Sequence, residues 1–142
     1  GADPSGISEQ VYEARSLESL KMLGRVLDTL QLDKSGKIAW MEVYGEWMSE
    51  LSLDEGQTEG FVNYARMVKG VEVALIFRES ADGRIRIGMR SKGDVDVGAL
   101  AETLGGGGHA RAAGCSLDSQ SISEAKELVF GKVYEIMGLA GD

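Results

Sequence analysis

The sequence predicts an α/β domain in which a mixed central β-sheet of about four to five strands is flanked by helices. Residues 38–44 and 71–77 are short, mostly apolar runs, which are typical of strands buried on both faces. Residues 84–90 alternate between polar and apolar side chains and follow the turn dipeptide Asp82-Gly83, which predicts a hairpin. Around these strands, apolar residues recur at the three- and four-residue spacings of helices that pack on one face.

Composition limits the kinds of protein that this chain can be. Its 142 residues suit one domain, and 43% hydrophobic with 27% charged residues is ordinary for a globular protein. Without a run of ~20 apolar residues or an apolar start, we expect no membrane helix and no signal peptide. The single cysteine fits a reducing cytoplasm. With only one cysteine and one histidine, a transition-metal site built from this chain alone is not expected. The formal charge of −8 restricts nucleic-acid contact to a local basic patch.

The first 32 residues predict helices that lead into the sheet. The pattern is helical over residues 5–30, with a joint at Arg15-Ser16. A seam of leucines predicts the face along which the second half of this helix packs: Leu20, Leu23, Leu27 and Leu30. Where such a seam packs against a preceding domain, the chain by itself exposes an apolar surface.

The next segment predicts a turn at residues 33–37, the strand at 38–44 and a short helix around Trp47. A longer helix is expected to begin at Thr58-Glu59 and to end at Lys69-Gly70, where a glycine suits the C-cap. Its expected buried face consists of Phe61, Val62, Ala65 and Val68.

The C-terminal part predicts two faces on the second hairpin strand. Ile85, Ile87 and Met89 point to one side, and the opposite side carries a basic stripe interrupted by glycine: Arg84, Arg86, Gly88 and Arg90. A short helix is expected over residues 96–104 and a strand over 115–117. Ser121 and Glu124 form a capping box for a final helix that ends at Gly138. The expected buried residues of that helix are Ile122, Ala125, Val129, Val133 and Ile136.

The most informative stretch is a run of four glycines followed by the only histidine. Glycines carry no side chains, so successive amides can converge on an anion and positive φ angles cost little. The run therefore predicts a phosphate cradle with a polar arm at its rim. Its residues are Gly105, Gly106, Gly107, Gly108, His109, Arg111, Ala113 and Gly114. It is not a Walker loop, because no Lys-Ser or Lys-Thr follows the glycines.

Three residues at the end of the predicted hairpin complete the candidate site. Arg90 is expected to bind a second phosphate in a bidentate way, Lys92 to add charge and Ser91 to add a neutral hydrogen bond. The pattern around Arg111 favours a ligand contact and a surface position equally. Other candidates are better explained by a solvated face or by packing: Arg84, Arg86, Cys115, Trp40 and Trp47.

Residues 90–93, the following helix and the run 105–114 resemble the signature of the DHH-associated domain, type 1. This domain is the C-terminal half of DHH-family phosphoesterases. Residues 3–41 and 58–64 resemble the branch of bacterial oligoribonucleases (nanoRNases) and 3′-phosphoadenosine 5′-phosphate (pAp) phosphatases. The resemblance implies linker and packing helices at 1–32, a substrate-binding domain at 33–138 and a frayed tail at 139–142.

The resemblance also implies a division of roles between two domains. The catalytic half would hold two Mn²⁺ ions through an Asp-His-His motif and further aspartates. This chain has one histidine, so we expect it to bind no cofactor and to hydrolyse nothing by itself. The candidate residues from Arg90 to Lys92 and from Gly105 to Gly114 would hold a short RNA or a phosphorylated nucleotide. The expected partners are the N-terminal DHH domain of the same polypeptide and a second copy of the chain.

Two alternatives stay open from the sequence. A related glycine-rich segment occurs in the C-terminal nucleic-acid-binding and dimerisation module of alanyl-tRNA synthetase, and a similar substrate domain occurs in cyclic-dinucleotide phosphodiesterases. His109 and the lead-in Arg90-Ser91-Lys92 favour the phosphoesterase over the synthetase. The sequence does not separate the branches of the phosphoesterase family.

Overall fold

A computed structural model of the chain describes residues 14–58, 60–119 and 121–139. Its strands are β1 (Gln31–Leu32), β2 (Ile38–Val43), β3 (Val73–Glu79), β4 (Ile85–Ser91), β5 (Gly107–Gly108) and β6 (Ala112–Leu117). Its helices are α1 (Leu17–Asp28), α2 (Gly45–Glu50), α3 (Val62–Arg66), α4 (Val97–Thr103) and α5 (Ile122–Met137), with a 3₁₀ helix at Glu55–Thr58.

The strands form one mixed sheet in the order β1-β2-β3-β4-β6-β5. β2 and β3 run parallel, and the other neighbouring pairs run antiparallel, which confirms the predicted fold class. The sheet has six strands rather than four to five, because the two-residue strands β1 and β5 pair at its edges. Strands this short show no alternation of burial, so their sequence gives no strand signal.

One face of the sheet packs against α4 and α5. Ile85, Ile87 and Met89 of β4 point into this core, as the alternation predicted. Ser121 caps α5 through a hydrogen bond from the Glu124 amide at 3.1 Å, which confirms the predicted start of the helix. The predicted buried residues of α5 are confirmed except for Ile136, which lies in the last turn and is 41% exposed.

The opposite face is covered over β2 and β3. Its core consists of side chains from α1, from α3 and its N-cap Phe61, from these two strands and from Val71 just before β3: Met22, Leu23, Val26, Ala39, Met41, Val43, Phe61, Val62, Ala65, Val71, Ala74 and Ile76. Within the described ranges, this second core includes no residue of β4, β5 or β6. We call the remaining half of this sheet face, formed by β4, β6 and β5, the open face.

Helix α1 begins one residue after the predicted joint. The Ser16 hydroxyl accepts a hydrogen bond from the Ser19 amide at 3.0 Å and caps the helix. The predicted leucine seam is wrong at Leu20, which is 52% exposed. The buried side is turned towards Met22 and Val26, because these side chains fit against β2 and α3. The part of the predicted helix within residues 1–13 lies outside the described residues.

Helix α3 is shorter than the predicted helix at both ends. The expected start at Thr58-Glu59 is wrong, because Thr58 ends a 3₁₀ helix and Gly60 has a left-handed φ of +88°. Glu59 itself lies outside the described residues. The expected C-cap at Gly70 is also wrong, since α3 already ends at Arg66. Gly70, with φ +88°, instead forms the turn that leads towards β3.

A polar cluster links β2 to α5. Lys126 Nζ lies 2.9 Å from Glu42 Oε2, and the Tyr44 hydroxyl donates to the other carboxylate oxygen of Glu42. Burial alone raises the pKa of Glu42, but the hydrogen bonds from Lys126 and Tyr44 outweigh it and hold that pKa below its ordinary value. The same hydrogen bond to Glu42 raises the pKa of Tyr44 to about 12.

This cluster predicts a pH-dependent contribution to stability. Because folding lowers the pKa of Glu42, its contribution is present above the ordinary value of 4.5 and is lost as the pH falls through the folded pKa. We expect Lys126→Met to lower the free energy of unfolding by about 1–2 kcal/mol at neutral pH and by much less at about pH 3. Urea denaturation at both pH values measures this. Lys132→Met on the same helix is the control, and an equal loss at both pH values would contradict the assignment.

Candidate functional site

The strand register aligns glycines across the open face. Ile76 of β3 pairs with Gly88 of β4, Gly88 pairs with Gly114 of β6, and Gly114 pairs with Gly107 of β5. We call Gly88, Gly114 and Gly107 the glycine row. At the usual strand spacing of about 4.8 Å, it spans roughly 10 Å of backbone without side chains. A ligand on the open face can therefore approach the sheet backbone closely here.

Arginines border the glycine row on both sides. Arg90 lies two residues from Gly88 along β4 and lines a cavity of about 190 Å³ together with Gly88, Ala113 and Gly114. On the other side, Arg78 and Arg86 are cross-strand partners and line a neighbouring cavity of about 450 Å³. The acidic chain thus has a local concentration of positive charge on this side of the sheet. The net charge predicted that any contact with a nucleic acid would need such a local basic patch.

Two of the basic side chains near the hairpin turn make ion pairs. Arg84 Nε lies 3.0 Å from a carboxylate oxygen of Asp118, and Arg86 lies 3.2 Å from Asp82. The backbone amide of Arg84 is the main cause that holds the pKa of Asp82 below its ordinary value. Surface pairs of this kind contribute little to stability. Their geometry agrees with a solvated strand face at Arg84 and Arg86.

The glycine run forms the first strand of a tight hairpin. The His109 amide donates to the Ala112 carbonyl at 2.8 Å, and the Ala112 amide returns a bond to His109 at 3.3 Å. These bonds close a two-residue turn at 110–111. The amides of Gly105 and Gly106 donate to carbonyl oxygens of α4. The predicted cradle of converging amides is therefore not confirmed, because these donors are already used within the fold.

Close backbone packing explains two of the four glycines instead. A Cβ atom on Gly106 would lie 2.1 Å from the Gly114 carbonyl oxygen, and one on Gly108 would lie 2.6 Å from Ala113 Cα. Gly107, between them, has open space at this position. The sequence predicted anion binding for the whole run. A glycine that is needed because a neighbouring strand lies too close for a side chain looks the same in the sequence as a glycine that binds an anion.

The register brings His109 and Arg90 into one row. Arg90 pairs with Ala112, which in turn exchanges hydrogen bonds with His109. Cross-strand partners share a face, so this pairing assigns His109 to the open face, two strands and roughly 10 Å from Arg90. The small Ala112 side chain separates them. The antiparallel alternation also points the Gly108 amide outward from the sheet edge beside His109.

The row can therefore present two kinds of side-chain donor to an anion, a guanidinium and an imidazole. His109 is exposed, and Arg90 also donates from Nη1 to the Met89 carbonyl at 2.9 Å. We call Arg90, Ala112 and His109 the donor row. Ala112 was not among the predicted site residues, because a small side chain between two donors has no signal of its own.

Three other predicted site residues lie apart from the donor row. Ser91 is 2% exposed, and its hydroxyl donates to the Ala110 carbonyl at 3.0 Å. The predicted hydrogen bond from Ser91 to a ligand is therefore replaced by one within the fold. Lys92 is exposed beyond the end of β4 and lines neither cavity. The Arg111 guanidinium donates to the Gly93 carbonyl. Arg90, Ala113 and Gly114 thus line one cavity, His109 lies in the adjoining row by strand register, and Ser91 and Arg111 have contacts within the fold.

The remaining candidates for chemistry serve packing. Burial raises the pKa of the Cys115 thiol to about 11, which disfavours the nucleophilic thiolate. Trp40 contacts the Phe130 ring edge-on with centroids 4.9 Å apart.

In the part of the chain that the structure describes, no three His, Cys, Asp or Glu side chains are grouped to hold a metal ion. None of the helices in that part is long and apolar enough to cross a membrane.

The chain is similar to a known domain family and to several known proteins. The DHHA1 domain model matches residues 33–135. The bifunctional oligoribonuclease and PAP phosphatase NrnA of Thermus thermophilus is 31% identical over 121 residues, which cover 85% of this chain and 36% of that protein. The cyclic-di-AMP phosphodiesterase GdpP of Geobacillus thermodenitrificans is 37% identical over 68 residues, which cover 48% of this chain and 10% of that protein.

A solved structure shows the same fold. The exopolyphosphatase-related protein from Bacteroides fragilis superposes with a TM-score of 0.83 at 30% identity, over 95% of this chain and 39% of that one. The chain thus spans little more than a third of the length of the NrnA relative and of this structure. Because the family match includes the whole sheet from β2 to β6 together with the donor row, the chain belongs to the DHHA1 domain family.

Proposed function

We propose that this chain is the substrate-holding domain of a DHH-family phosphoesterase that acts on short RNA or on pAp. The donor row carries the proposal: Arg90 and His109 flank the small Ala112 on the open face. A phosphate in this gap would receive a bidentate bond from Arg90 and a single bond from His109. The glycine row beside it would leave room for the sugar or the base of the nucleotide.

The bond-breaking chemistry belongs to another domain in this proposal. Two metal ions clamp the attacking and leaving oxygens in enzymes of this type, and they would be Mn²⁺ held by the preceding DHH domain. Histidine and arginine on the open face do not form a ligand set for such ions. This chain would bind and orient the substrate, and correct orientation alone contributes several kcal/mol to catalysis.

Exposed apolar side chains support a second domain as partner. Helices α1 and α3 contribute to the same core, and together with the C-cap residue of α3 they expose four large apolar residues to solvent: Leu17, Leu20, Tyr64 and Met67. Such side chains are ordinary singly, but several on adjoining helices are typical of a surface that another domain covers. The names NrnA and GdpP of the relatives support the same reaction class, with cyclic-dinucleotide hydrolysis as the alternative.

An NMR titration tests the proposed function. We expect a 5′-phosphorylated diribonucleotide or pAp, added without metal, to shift the amides of Arg90, Gly108, His109 and Gly114. The affinity is expected near millimolar, about −4 kcal/mol, because half of the site would come from the other domain. His109→Ala should weaken binding, and His109→Gln should retain part of it because glutamine keeps a side-chain donor. Shifts elsewhere, or none at several millimolar ligand, would contradict the proposal.

A further inference from the structure

The turn that follows His109 is held from two neighbouring elements. The Ala110 carbonyl accepts one hydrogen bond from the Ser91 hydroxyl at 3.0 Å and a second from the Val97 amide at 2.9 Å. The Ser91 amide also donates to the Arg111 carbonyl at 3.1 Å. Ser91, at the end of β4, therefore binds both residues of the turn, once through its side chain and once through its backbone.

This anchoring adds to the contacts that hold the hairpin at the edge of the sheet. Strand β5 contains two residues, both glycine, and forms an edge of the sheet. Short two-stranded hairpins are marginally stable, and glycine adds conformational freedom. His109 directly precedes the anchored turn, so the bonds to Ala110 and Arg111 help to fix its backbone together with its own two bonds to Ala112.

Helix α4 supports the turn from a second side. Its first residue, Val97, donates to Ala110, and a Cβ atom on Gly98 would lie only 3.0 Å from the His109 carbonyl oxygen. This contact places the start of α4 directly against the backbone of His109. The carbonyl of Ala110 uses both of its lone pairs, so its position is fixed by two donors from different elements.

We propose that Ser91 is a positioning residue, which holds His109 in the donor row through Ala110 and does not touch the ligand. This inference rests on the proposed function. Ser91 is 2% exposed and its side chain faces the core side of the sheet, whereas Arg90, its neighbour in sequence, lies on the open face. The adjacent pair thus divides two tasks: Arg90 binds the anion, and Ser91 fixes the second donor at the required distance from Arg90.

Removing the hydroxyl leaves the fold with its other bonds. In Ser91→Ala, the Ala110 carbonyl keeps the bond from Val97 and the Ser91 backbone bond to Arg111 remains, so no buried acceptor is orphaned. The turn, however, loses one of the two donors to Ala110, and the remaining bonds to Ala110 and Arg111 come from backbone amides. We therefore expect a local loosening of the hairpin rather than global unfolding.

The experiment compares Ser91→Ala with Ser91→Thr and with Ser19→Ala in the 142-residue chain. Ser19 is a matched control, because it is 3% exposed and its hydroxyl also donates to a backbone carbonyl, that of Gln57. Amide hydrogen exchange is measured on the free proteins, and the 5′-phosphorylated diribonucleotide is the binding probe. Ser91→Thr retains a hydroxyl and is expected to recover most of the protection.

In Ser91→Ala we expect the amides of His109 and Ala112 to exchange about tenfold faster, with binding about tenfold weaker, a factor that corresponds to about 1.4 kcal/mol. The core amides of β3 should keep their wild-type protection in Ser91→Ala. The Ser19→Ala protein should keep wild-type protection in the hairpin and wild-type affinity. Unchanged exchange or unchanged affinity in Ser91→Ala would overturn the positioning role. If the wild-type protein does not bind the diribonucleotide, the proposed function fails, whereas the exchange data still report separately on the anchoring of the turn.

Discussion

Gly106→Ala is expected to destabilise the protein more than any other single methyl addition in the glycine run. The new Cβ atom would lie 2.1 Å from the Gly114 carbonyl oxygen and 2.7 Å from Cys115 Cα. Both atoms belong to the backbone of β6, which is paired to β4 and cannot move aside. Overpacking of this kind costs typically 1–3 kcal/mol, and we expect about 3 kcal/mol in the free energy of unfolding.

The adjacent Gly107 provides the control for this prediction. A Cβ atom on Gly107 meets no atom within 4 Å, so Gly107→Ala should change the free energy of unfolding by less than about 0.5 kcal/mol. Urea denaturation measures both variants, and hydrogen exchange locates the damage. If β5 detaches from β6 in Gly106→Ala, the decrease in the free energy of unfolding is limited to the free energy of that detachment. The β5 amides then lose their protection from exchange first. Equal stability of the two variants would contradict the close packing of β5 on β6.

The largest effect on binding is expected at Arg90. Its guanidinium is the permanent charge of the donor row, and it lies beside the glycine row in the same cavity as Gly88 and Gly114. A hydrogen bond to a charged group contributes about 1.5–3 kcal/mol, so Arg90→Ala should weaken binding of the phosphorylated diribonucleotide by about tenfold to a hundredfold. Calorimetry or the NMR titration measures the change in Kd.

Two variants separate geometry from charge at this position. Arg90→Lys keeps the charge but not the fork of donors, so we expect it to recover part of the affinity. Arg25→Ala removes one positive charge from α1, where Arg25 pairs with Glu50 at 2.8 Å, and should leave the affinity unchanged. If Arg25→Ala weakened binding as much as Arg90→Ala, overall charge rather than the donor row would account for the interaction. The salt dependence of binding should also decrease in Arg90→Ala and persist in Arg25→Ala.

Elements with a strong local pattern were predictable from the sequence. The alternation from Ile85 to Met89 fixed which face of β4 is buried, and the capping box at Ser121 fixed the start of α5. The leucine seam of α1 was not predictable in detail, because Met22 and Val26 compete with Leu20 for the same core and the shape of β2 decides between them. The ends of α3 failed for a related reason: glycines at positions 60 and 70 form turns whose place depends on the chain beyond the helix.

The candidate site divides in the same way. The sequence by itself determined that the chain is an α/β domain and that its positive charge must be local, and it predicted that Arg90, His109 and Gly114 belong to one site. The tertiary structure alone decided how they are arranged, since the pairing of β4 with β6 and of β6 with β5 sets Arg90, Ala112 and His109 side by side. It also gave Ser91 a hydrogen bond to the turn and gave Gly106 and Gly108 a steric role. Local patterns encode which residues turn towards a core, whereas strand register and backbone contact arise between segments distant in sequence.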